Sequence, residues 1–380
     1  MNEGGRKCPQ NGLFQKNAER GIIMSKTKKR SKFPWKIVFN VAIFGLTIFL
    51  IVFFVFSEGG LVDLLKSGQK IDQGWLMLSV FVHLLNIALD ATIIYLFVKQ
   101  TTPQVTLKNA LIASMTGQFF CAVTPSATGG QPMQVLTMSR MGIKGSNATS
   151  ALVQKFLVWQ FTLTVYCIIA VVTGIGFFAQ HLDPAMIVFS IIGSSMQVFM
   201  IVVLLLASFC KPLTTRIVNG FLGFLGKIHL LKNVEEKQKS VDEVLTSFHE
   251  NNKELNKNKR LLVQIYVITA VQMTACFLAP YCIAMSFGIE CNIFDMLRAQ
   301  AFVSMVSSLV PLPGGSGAAE YCFGVFFNTY FTAETIKSAI LIWRIITYYG
   351  TIAVSAPFAI FREKQTLTEA SSASAEQSSK

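Results

Sequence analysis

A few charged side chains interrupt long apolar stretches of this 380-residue chain. Each must be paired or must serve a ligand, because an isolated charge in apolar surroundings is costly. His83, Asn86 and Asp90 are spaced at i, i+3 and i+7, so they share one helical face. That face either lines a polar cavity, where Asp90 receives a cationic group or a proton, or packs as a polar stripe against another helix.

Four more charges occupy similar positions. Lys155 lies one turn into an apolar stretch, which favours a lysine whose ammonium reaches outward to water. Arg298 and Glu320 are candidates for an ion pair. Arg344 shares a helical face with Tyr348, and it either neutralises one of the two carboxylates or binds phosphate through its planar guanidinium. In a binding site, the basic groups would hold a phosphate and the carboxylates an amine.

Two turns rich in proline and glycine break apolar segments at 124–130 and 311–317. Turns of this kind can expose backbone N–H groups to an anion. Within a membrane, irregular backbone is tolerated only where it is buried in protein or lines a wet cavity. The two turns are therefore predicted to lie near a binding site.

The elements that must position these residues are membrane helices. The chain is 52% hydrophobic and 14% charged, which excludes an ordinary soluble domain because such a domain has about 25% charged residues. Apolar stretches of about 20 residues are long enough to cross a bilayer. Full spans are predicted at 37–57, 74–98, 150–179, 184–209, 261–287 and 338–361.

Two other apolar regions, 105–142 and 293–331, contain the two turns. After the first turn the apolar run continues for about 12 residues, or about 18 Å of helix, which is too short to cross. The predicted fold is an all-α polytopic membrane protein with six spans and two re-entrant hairpins that enter from opposite faces, as in an inverted repeat. Eight full spans with two proline kinks are the alternative.

The basic residues set the predicted topology. Of the 33 Lys and Arg residues, most fall in segments on one side, and only Lys66, Lys70 and Lys337 fall on the other. The positive-inside rule then places both termini in the cytoplasm. The charge thus reflects topology, and no direct binding of nucleic acid is expected.

The predicted organisation has five parts. A basic N-terminus, 1–36, precedes a first membrane half, 37–209. A cytoplasmic insert, 210–260, contains an amphipathic stretch and a charged stretch, and it is followed by a second membrane half, 261–361, and a disordered tail, 362–380. Met24 begins a basic run, which favours residues 1–23 as the product of a mis-called start codon.

Motifs for common chemistries are absent from the sequence. It has no Walker A motif, no Gly-x-Ser-x-Gly elbow and no His-Glu-x-x-His motif. The cysteines and histidines do not cluster at metal-ligand spacing. We therefore expect no cofactor, no metal and no catalytic residue.

At the two turns the chain resembles the transmembrane region of the lysylphosphatidylglycerol synthase/flippase family. The family pattern Pro-x-Pro-Gly-Gly-x-Gly-x-x-Glu is matched at the second turn, and the first turn and the last span are also similar to the family. The matching residues are Pro311, Pro313, Gly314, Gly315, Gly317 and Glu320, with Thr124, Pro125, Gly129, Gly130, Arg344 and Tyr348. The family often has Glu and Arg where this chain has Gln131 and Gln134.

The resemblance implies a bacterial plasma-membrane flippase for an anionic or aminoacylated phospholipid of the lysyl-phosphatidylglycerol type, linked to resistance against cationic peptides. One alternative is a phosphatidylglycerol lysyltransferase or its accessory subunit, working with a separate synthase. Another is transport of a polyprenyl-phosphate-linked sugar. The candidate substrate-binding residues are the twelve that match the family together with Asp90, Gln131, Gln134, Lys155 and Arg298.

Overall fold

The structure is a computed structural model that describes residues 71–174, 258–307, 313–315, 317–332 and 335–359, with scattered residues between 192 and 257. All of them belong to one unit, 50–380. The described residues exclude the N-terminus, the predicted span 37–57, most of the span 184–209, most of the insert, the tail and Pro311.

Four described helices are long and apolar enough to cross a membrane. Helix α1 is Gln73–Thr101 and begins at Asp72, whose carboxylate accepts the Gly74 N–H. The other three are introduced as α4, α5 with α6, and α9. Their positions confirm four of the six predicted spans, and the described part of the chain contains helices and turns without a strand.

The first turn joins two shorter helices, α2 (Leu107–Val123) and α3 (Gly130–Arg140), through a 3₁₀ turn at Pro125–Ala127. Thr106 caps α2 by accepting the Asn109 N–H. Helix α4, Gly145–Thr173, follows directly as a span. The first predicted hairpin is therefore a packed helix–turn–helix unit.

The second half repeats this plan. Helix α5 (Lys259–Phe277) continues into α6 (Ala279–Ser286), and together they make one span. Helices α7 (Ile293–Ser307) and α8 (Ala318–Phe327) pack together on either side of a turn at Pro313–Gly315. This turn contacts both the first turn and α2.

The last span begins as α9, Thr335–Arg344, and passes through a π-helical segment, Ile345–Tyr349, before it continues to Ala359. A π segment widens the helix by one residue and often marks a functional position. Arg344 directly precedes this segment and Tyr348 lies within it, and both residues are buried.

Two contacts fix which helix ends lie together. The Asp72 N–H donates to the Ser286 carbonyl at 2.9 Å, so the start of α1 adjoins the end of α6. Arg298 Nε donates to Thr173 Oγ1 at 3.2 Å, so the first turns of α7 lie beside the end of α4. Helix α2 starts just after α1 ends, at the other end of α1.

The apolar side chains form two clusters. One cluster contains residues from every helix from α4 through α9 and is rich in aromatic rings. In it, the Phe323 ring lies 4.4 Å from the Phe327 ring and 5.0 Å from the Trp343 ring, measured between centroids. The other joins α1, α2, α4 and α5. Large apolar side chains also remain exposed on the outer faces of the spans, including Met77, Phe81, Ile169, Val172 and Val263. An apolar outer surface of this kind is suited to lipid.

Candidate functional site

A cavity of about 670 Å³ lies between the first turn and helices α1, α2, α3, α4 and α5. This volume is within the range of small-molecule and headgroup sites, about 300–1,000 Å³. Its wall carries one acid, one base, several amides and two aromatic rings. The polar and aromatic side chains that line it are Asn86, Asp90, Gln118, Ser126, Thr128, Gln131, Gln134, Lys155, Phe156, Trp159 and Gln272.

Asp90 is the centre of the polar network in this cavity. One of its oxygens accepts from Lys155 Nζ at 2.6 Å and from Gln272 Nε2 at 3.4 Å, and the other accepts from Ser114 Oγ at 2.6 Å. The prediction that Lys155 reaches outward to water was wrong. The lysine turns into the protein because Asp90, on a neighbouring helix, offers it a buried carboxylate.

The amides form the rest of the wall. Gln118 Nε2 lies 3.4 Å from Ser114 Oγ, and Gln272 is 2% exposed with no hydrogen-bond partner for its Oε1. Gln134 packs directly above Gly117, where a Cβ would overlap its side chain. Gln131 is exposed on the cavity side of α3.

The first turn is held by its own hydrogen bonds. Thr124 Oγ1 accepts the Gly129 N–H at 2.9 Å, and the N–H groups of Ala127 and Thr128 donate to carbonyls of the same turn. Gly130 packs on Cys121, and a Cβ at Gly130 would meet that sulfur. The expectation that these turn amides face an anion was therefore wrong for the three amides named here, because the turn itself uses them.

Arg344 and Glu320 meet at the second turn. Arg344 Nε lies 2.7 Å from Glu320 Oε1, and Arg344 Nη1 donates to the Gly314 carbonyl at 3.0 Å. The other Glu320 oxygen accepts the Gly317 N–H at 2.6 Å. Pairing of Arg344 with a carboxylate is thus confirmed, and the partner is Glu320.

Arg298 lies apart from this cluster. Its Nη1 is 2.6 Å from Asp295 Oδ1, one turn earlier on α7. The predicted Arg298–Glu320 pair was wrong, because each residue has another partner of opposite charge: Asp295 pairs with Arg298, and Arg344 pairs with Glu320. Arg298 belongs to the end of the molecule near Thr173.

Tyr348 connects the last span to the first hairpin. Its hydroxyl donates to the Ala122 carbonyl at the end of α2 at 3.0 Å. Its ring lies above Gly314, where a Cβ would overlap it, and the Arg344 guanidinium is 5.5 Å from the ring centroid. The two turns therefore meet on one face of the last span.

The structure brings together most of the predicted site residues, but in two clusters. Asp90, Gln131, Gln134 and Lys155 line the cavity, with the first turn beside them. The residues around Arg344 hold the second turn. His83 bonds to Thr351 Oγ1 at 2.8 Å and does not line the cavity, although Asn86 and Asp90 on the same helix do.

The sequence analysis missed Ser114, Gln118 and Gln272. Each is a polar residue inside an apolar helix, and that was the available signal. Tertiary structure was needed to show that all three surround Asp90. Among the described residues, no group of three His, Cys, Asp or Glu side chains could hold a metal ion.

The comparisons with known proteins agree with this architecture. Residues 37–355 match the model of the family described as the lysylphosphatidylglycerol synthase TM region. The chain is also similar to a UPF0104 membrane protein of Archaeoglobus fulgidus, with 24% identity over 268 residues, which cover 67% of this chain and 77% of the relative. With four apolar spans in the part of the chain that the structure describes, this multi-pass membrane protein belongs to the lysylphosphatidylglycerol synthase transmembrane-region family.

Proposed function

We propose that this chain moves a lipid with an anionic or aminoacylated headgroup, of the lysyl-phosphatidylglycerol type, between membrane leaflets. The observation that carries the proposal is the polar cavity with the Asp90–Lys155 pair, enclosed by apolar spans. A lipid headgroup needs a polar cavity to cross the membrane, because exposing its charges to hydrocarbon is costly in free energy. The family name supports the lipid class.

The proposal includes two re-entrant hairpins that enter from opposite faces. Helix α3 has 11 residues and α8 has 10, which gives each about 15 Å of length, half of a hydrocarbon core. Helix α2 starts beyond the end of α1, whereas α7 starts near Thr173 and Ser286, at the start of α1. Opposed hairpins whose turns touch are suited to alternating access around a central site.

The internal ion pairs have a role in this proposal. Lys155 neutralises Asp90, and Arg344 neutralises Glu320. A headgroup phosphate could bond to Lys155 in the cavity, so that part of its charge is compensated during the passage. The second pair holds the turn against which the first hairpin rests.

An apolar cavity offers a place for an acyl chain. It has a volume of about 220 Å³ and lies between α4 and α7. Its lining includes Cys167, Ile168, Val171, Phe302 and Met305, which are apolar and suit a hydrocarbon chain. Headgroup and tail would then be held at separate places on the same protein.

The family name also favours a second candidate function: phosphatidylglycerol lysyltransferase activity, or service as the membrane subunit of a separate synthase. In either case we place the protein in the bacterial plasma membrane with both termini in the cytoplasm. Resistance to cationic peptides would follow from lysyl-lipid in the outer leaflet.

The test uses purified protein in proteoliposomes that contain one tail-labelled lipid at a time. Phosphatidylglycerol, lysyl-phosphatidylglycerol and phosphatidylethanolamine are compared, and leaflet exchange is scored by quenching from outside. We expect exchange that Lys155→Ala lowers at least about tenfold, since a charged hydrogen bond contributes about 1.5–3 kcal/mol. Lys108→Ala, at an exposed lysine of α2 outside the cavity, is the matched control.

Exchange of no lipid, with or without an ion gradient, would contradict the proposal. Formation of lysyl-lipid by the purified chain from lysyl-tRNA would favour the lysyltransferase instead. Equal loss of exchange in the Lys155 and Lys108 variants would show that the cavity lysine has no specific role in lipid exchange.

A further inference from the structure

We infer that the headgroup bound in the cavity is a polyol or sugar phosphate without an amine. This inference rests on the proposed function, and it narrows the substrate class of the same cavity. It is carried by the composition of the wall: five amide side chains, two aromatic rings and a single pair of opposite charges. The five amides are Asn86, Gln118, Gln131, Gln134 and Gln272.

The first argument concerns charge. Asp90 already accepts from Lys155, Ser114 and Gln272. A substrate amine would have to displace the lysine, and the two cations would then lie close together. A phosphate can bond to Lys155 without breaking the pair, because the ammonium has three N–H donors and can donate to Asp90 and to the phosphate together. The site thus favours an anion without a cationic group.

The second argument concerns a buried atom without a partner. Gln272 lines the cavity, is 2% exposed, and leaves its Oε1 without a hydrogen bond. Buried carbonyl oxygens are nearly always paired in proteins. A hydroxyl of the ligand can donate to this oxygen without bringing charge into the membrane.

The third argument concerns the match between amides and hydroxyls. An amide side chain both donates and accepts, and so does a hydroxyl, so that each can satisfy the other in either direction. Gln118 and Gln131 stand on the two limbs of the first hairpin, and Thr128 lies in the turn between them. A ring that carries several hydroxyls can therefore be bonded from several sides at once.

The aromatic rings complete the surface. Phe156 and Trp159 follow Lys155 on α4 at i+1 and i+4, and both line the cavity. Their faces are apolar and flat, which suits the C–H face of a sugar or cyclitol ring. The cavity volume of about 670 Å³ accommodates a ring together with its phosphate.

Gln131 and Gln134 add neutral amides to the wall on the α3 side. A neutral amide does not attract an ammonium as a carboxylate would, and it bonds to hydroxyls.

The experiment compares phosphatidylinositol, as a polyol phosphate probe, with lysyl-phosphatidylglycerol and phosphatidylethanolamine. Each is tail-labelled and present alone in phosphatidylcholine proteoliposomes. Binding is measured separately, as the rise in unfolding temperature of the detergent-solubilised protein with a short-chain form of each lipid. We expect phosphatidylinositol to exchange at least about tenfold faster than either amine lipid, the difference given by one or two additional hydrogen bonds.

Variants locate the effect in the cavity. Gln272→Leu should lower phosphatidylinositol exchange about tenfold, whereas Gln264→Leu, at an exposed position of the same helix, should leave it unchanged. If Gln272→Leu fails to fold, Gln131→Leu, at an exposed side chain of the wall, gives the same test. Gln131→Glu should shift the preference toward the amine lipids.

The outcomes separate this inference from the proposed function. Selective exchange of lysyl-phosphatidylglycerol would overturn the inference and leave the translocase in place. Specific stabilisation by short-chain phosphatidylinositol without exchange of any lipid would support the headgroup class and overturn translocation. Uptake of soluble inositol phosphate in place of the lipid would assign the same chemistry to a free solute and overturn the lipid assignment.

Discussion

At the residue scale, the charges of this protein are compensated inside the membrane. Asp90 and Glu320 are each paired with a base from another helix, and Arg298 is paired with a carboxylate on its own helix. An unpaired charge at these positions would be costly, because neither water nor lipid headgroups reach it readily. The same pairs keep the charges available to a ligand that can replace one partner.

The Asp90–Lys155 pair gives a prediction about stability. Lys155→Met should destabilise the protein by about 3–5 kcal/mol, because Asp90 is left buried without its cation. The double variant Asp90→Asn/Lys155→Met should recover most of this loss, since no unpaired charge remains. Thermal unfolding of the detergent-solubilised variants measures both effects as a double-mutant cycle.

Additive losses in this cycle would contradict the prediction, because independent sites simply add. The Lys108→Met variant controls for loss of a lysine as such. Its side chain is exposed at the start of α2, so its unfolding temperature should match that of the unmodified protein.

At the element scale, the last span holds the two turns together. Arg344, just before its π-helical segment, bonds to the second turn. Tyr348, within that segment, bonds to the end of α2. The second turn requires backbone with positive φ at Gly314, Gly315 and Gly317. Glycine adopts this conformation without the steric penalty of a Cβ.

Gly314 is the position where this packing can be tested. Gly314→Ala should destabilise the protein by about 1–3 kcal/mol and lower lipid exchange, because the Cβ overlaps the Tyr348 ring at φ +63°. Gly324→Ala is the control: it lies within α8 with no atom within 4 Å of the added Cβ, and it should be neutral or stabilising.

Equal stability of the Gly314→Ala and Gly324→Ala variants would contradict the close packing at the second turn. If both alanine variants unfolded at the same temperature as the unmodified protein, Gly314 would not be constrained by Tyr348. Circular dichroism on heating and the proteoliposome exchange assay give the two readings.

At the scale of the whole molecule, the proposed topology can be tested by the side of the membrane on which each loop lies. The second hairpin begins just after Cys291, in the loop that follows the span ending at Ser286. The charge distribution predicts that this loop is extracellular and that Cys210, at the start of the insert 210–260, is cytoplasmic. A thiol-reactive label that cannot cross the membrane distinguishes the two faces.

We predict that a variant with Cys291 as its single cysteine reacts from outside intact cells. Burial, with a smaller contribution from Asp295, raises the Cys291 pKa to about 11. The reactive thiolate is therefore scarce at neutral pH, and the labelling rate should rise about tenfold for each pH unit between 7 and 9. A variant with only Cys210, at the start of the insert predicted to be cytoplasmic, should react after permeabilisation alone.

Labelling of Cys291 only after permeabilisation would reverse the predicted orientation. A rate that does not change with pH would instead contradict the raised pKa of this thiol. The two readings are independent, since one concerns the side of the membrane and the other the protonation of the sulfur.

The sequence alone was sufficient for the all-helical membrane fold, for four spans that the structure confirms, and for the two interrupted helical pairs. These features depend on local properties, since apolar length, proline and glycine act within one segment. The motif at the second turn was likewise enough to indicate the family. Asp90 and Lys155 are predictable because charged residues stand out in apolar segments, whereas Gln131 and Gln134 follow from the family resemblance.

Tertiary structure alone decided the partners of these residues. Lys155 pairs with Asp90, which is 65 positions away in the sequence, and Arg344 pairs with Glu320. Spacing within one helix shows which face a residue occupies, but not which helix that face meets. The cavity forms because helices α1 to α5 bring polar side chains together. Gln272 lines it from α5, a helix in which the sequence analysis identified no candidate site residue.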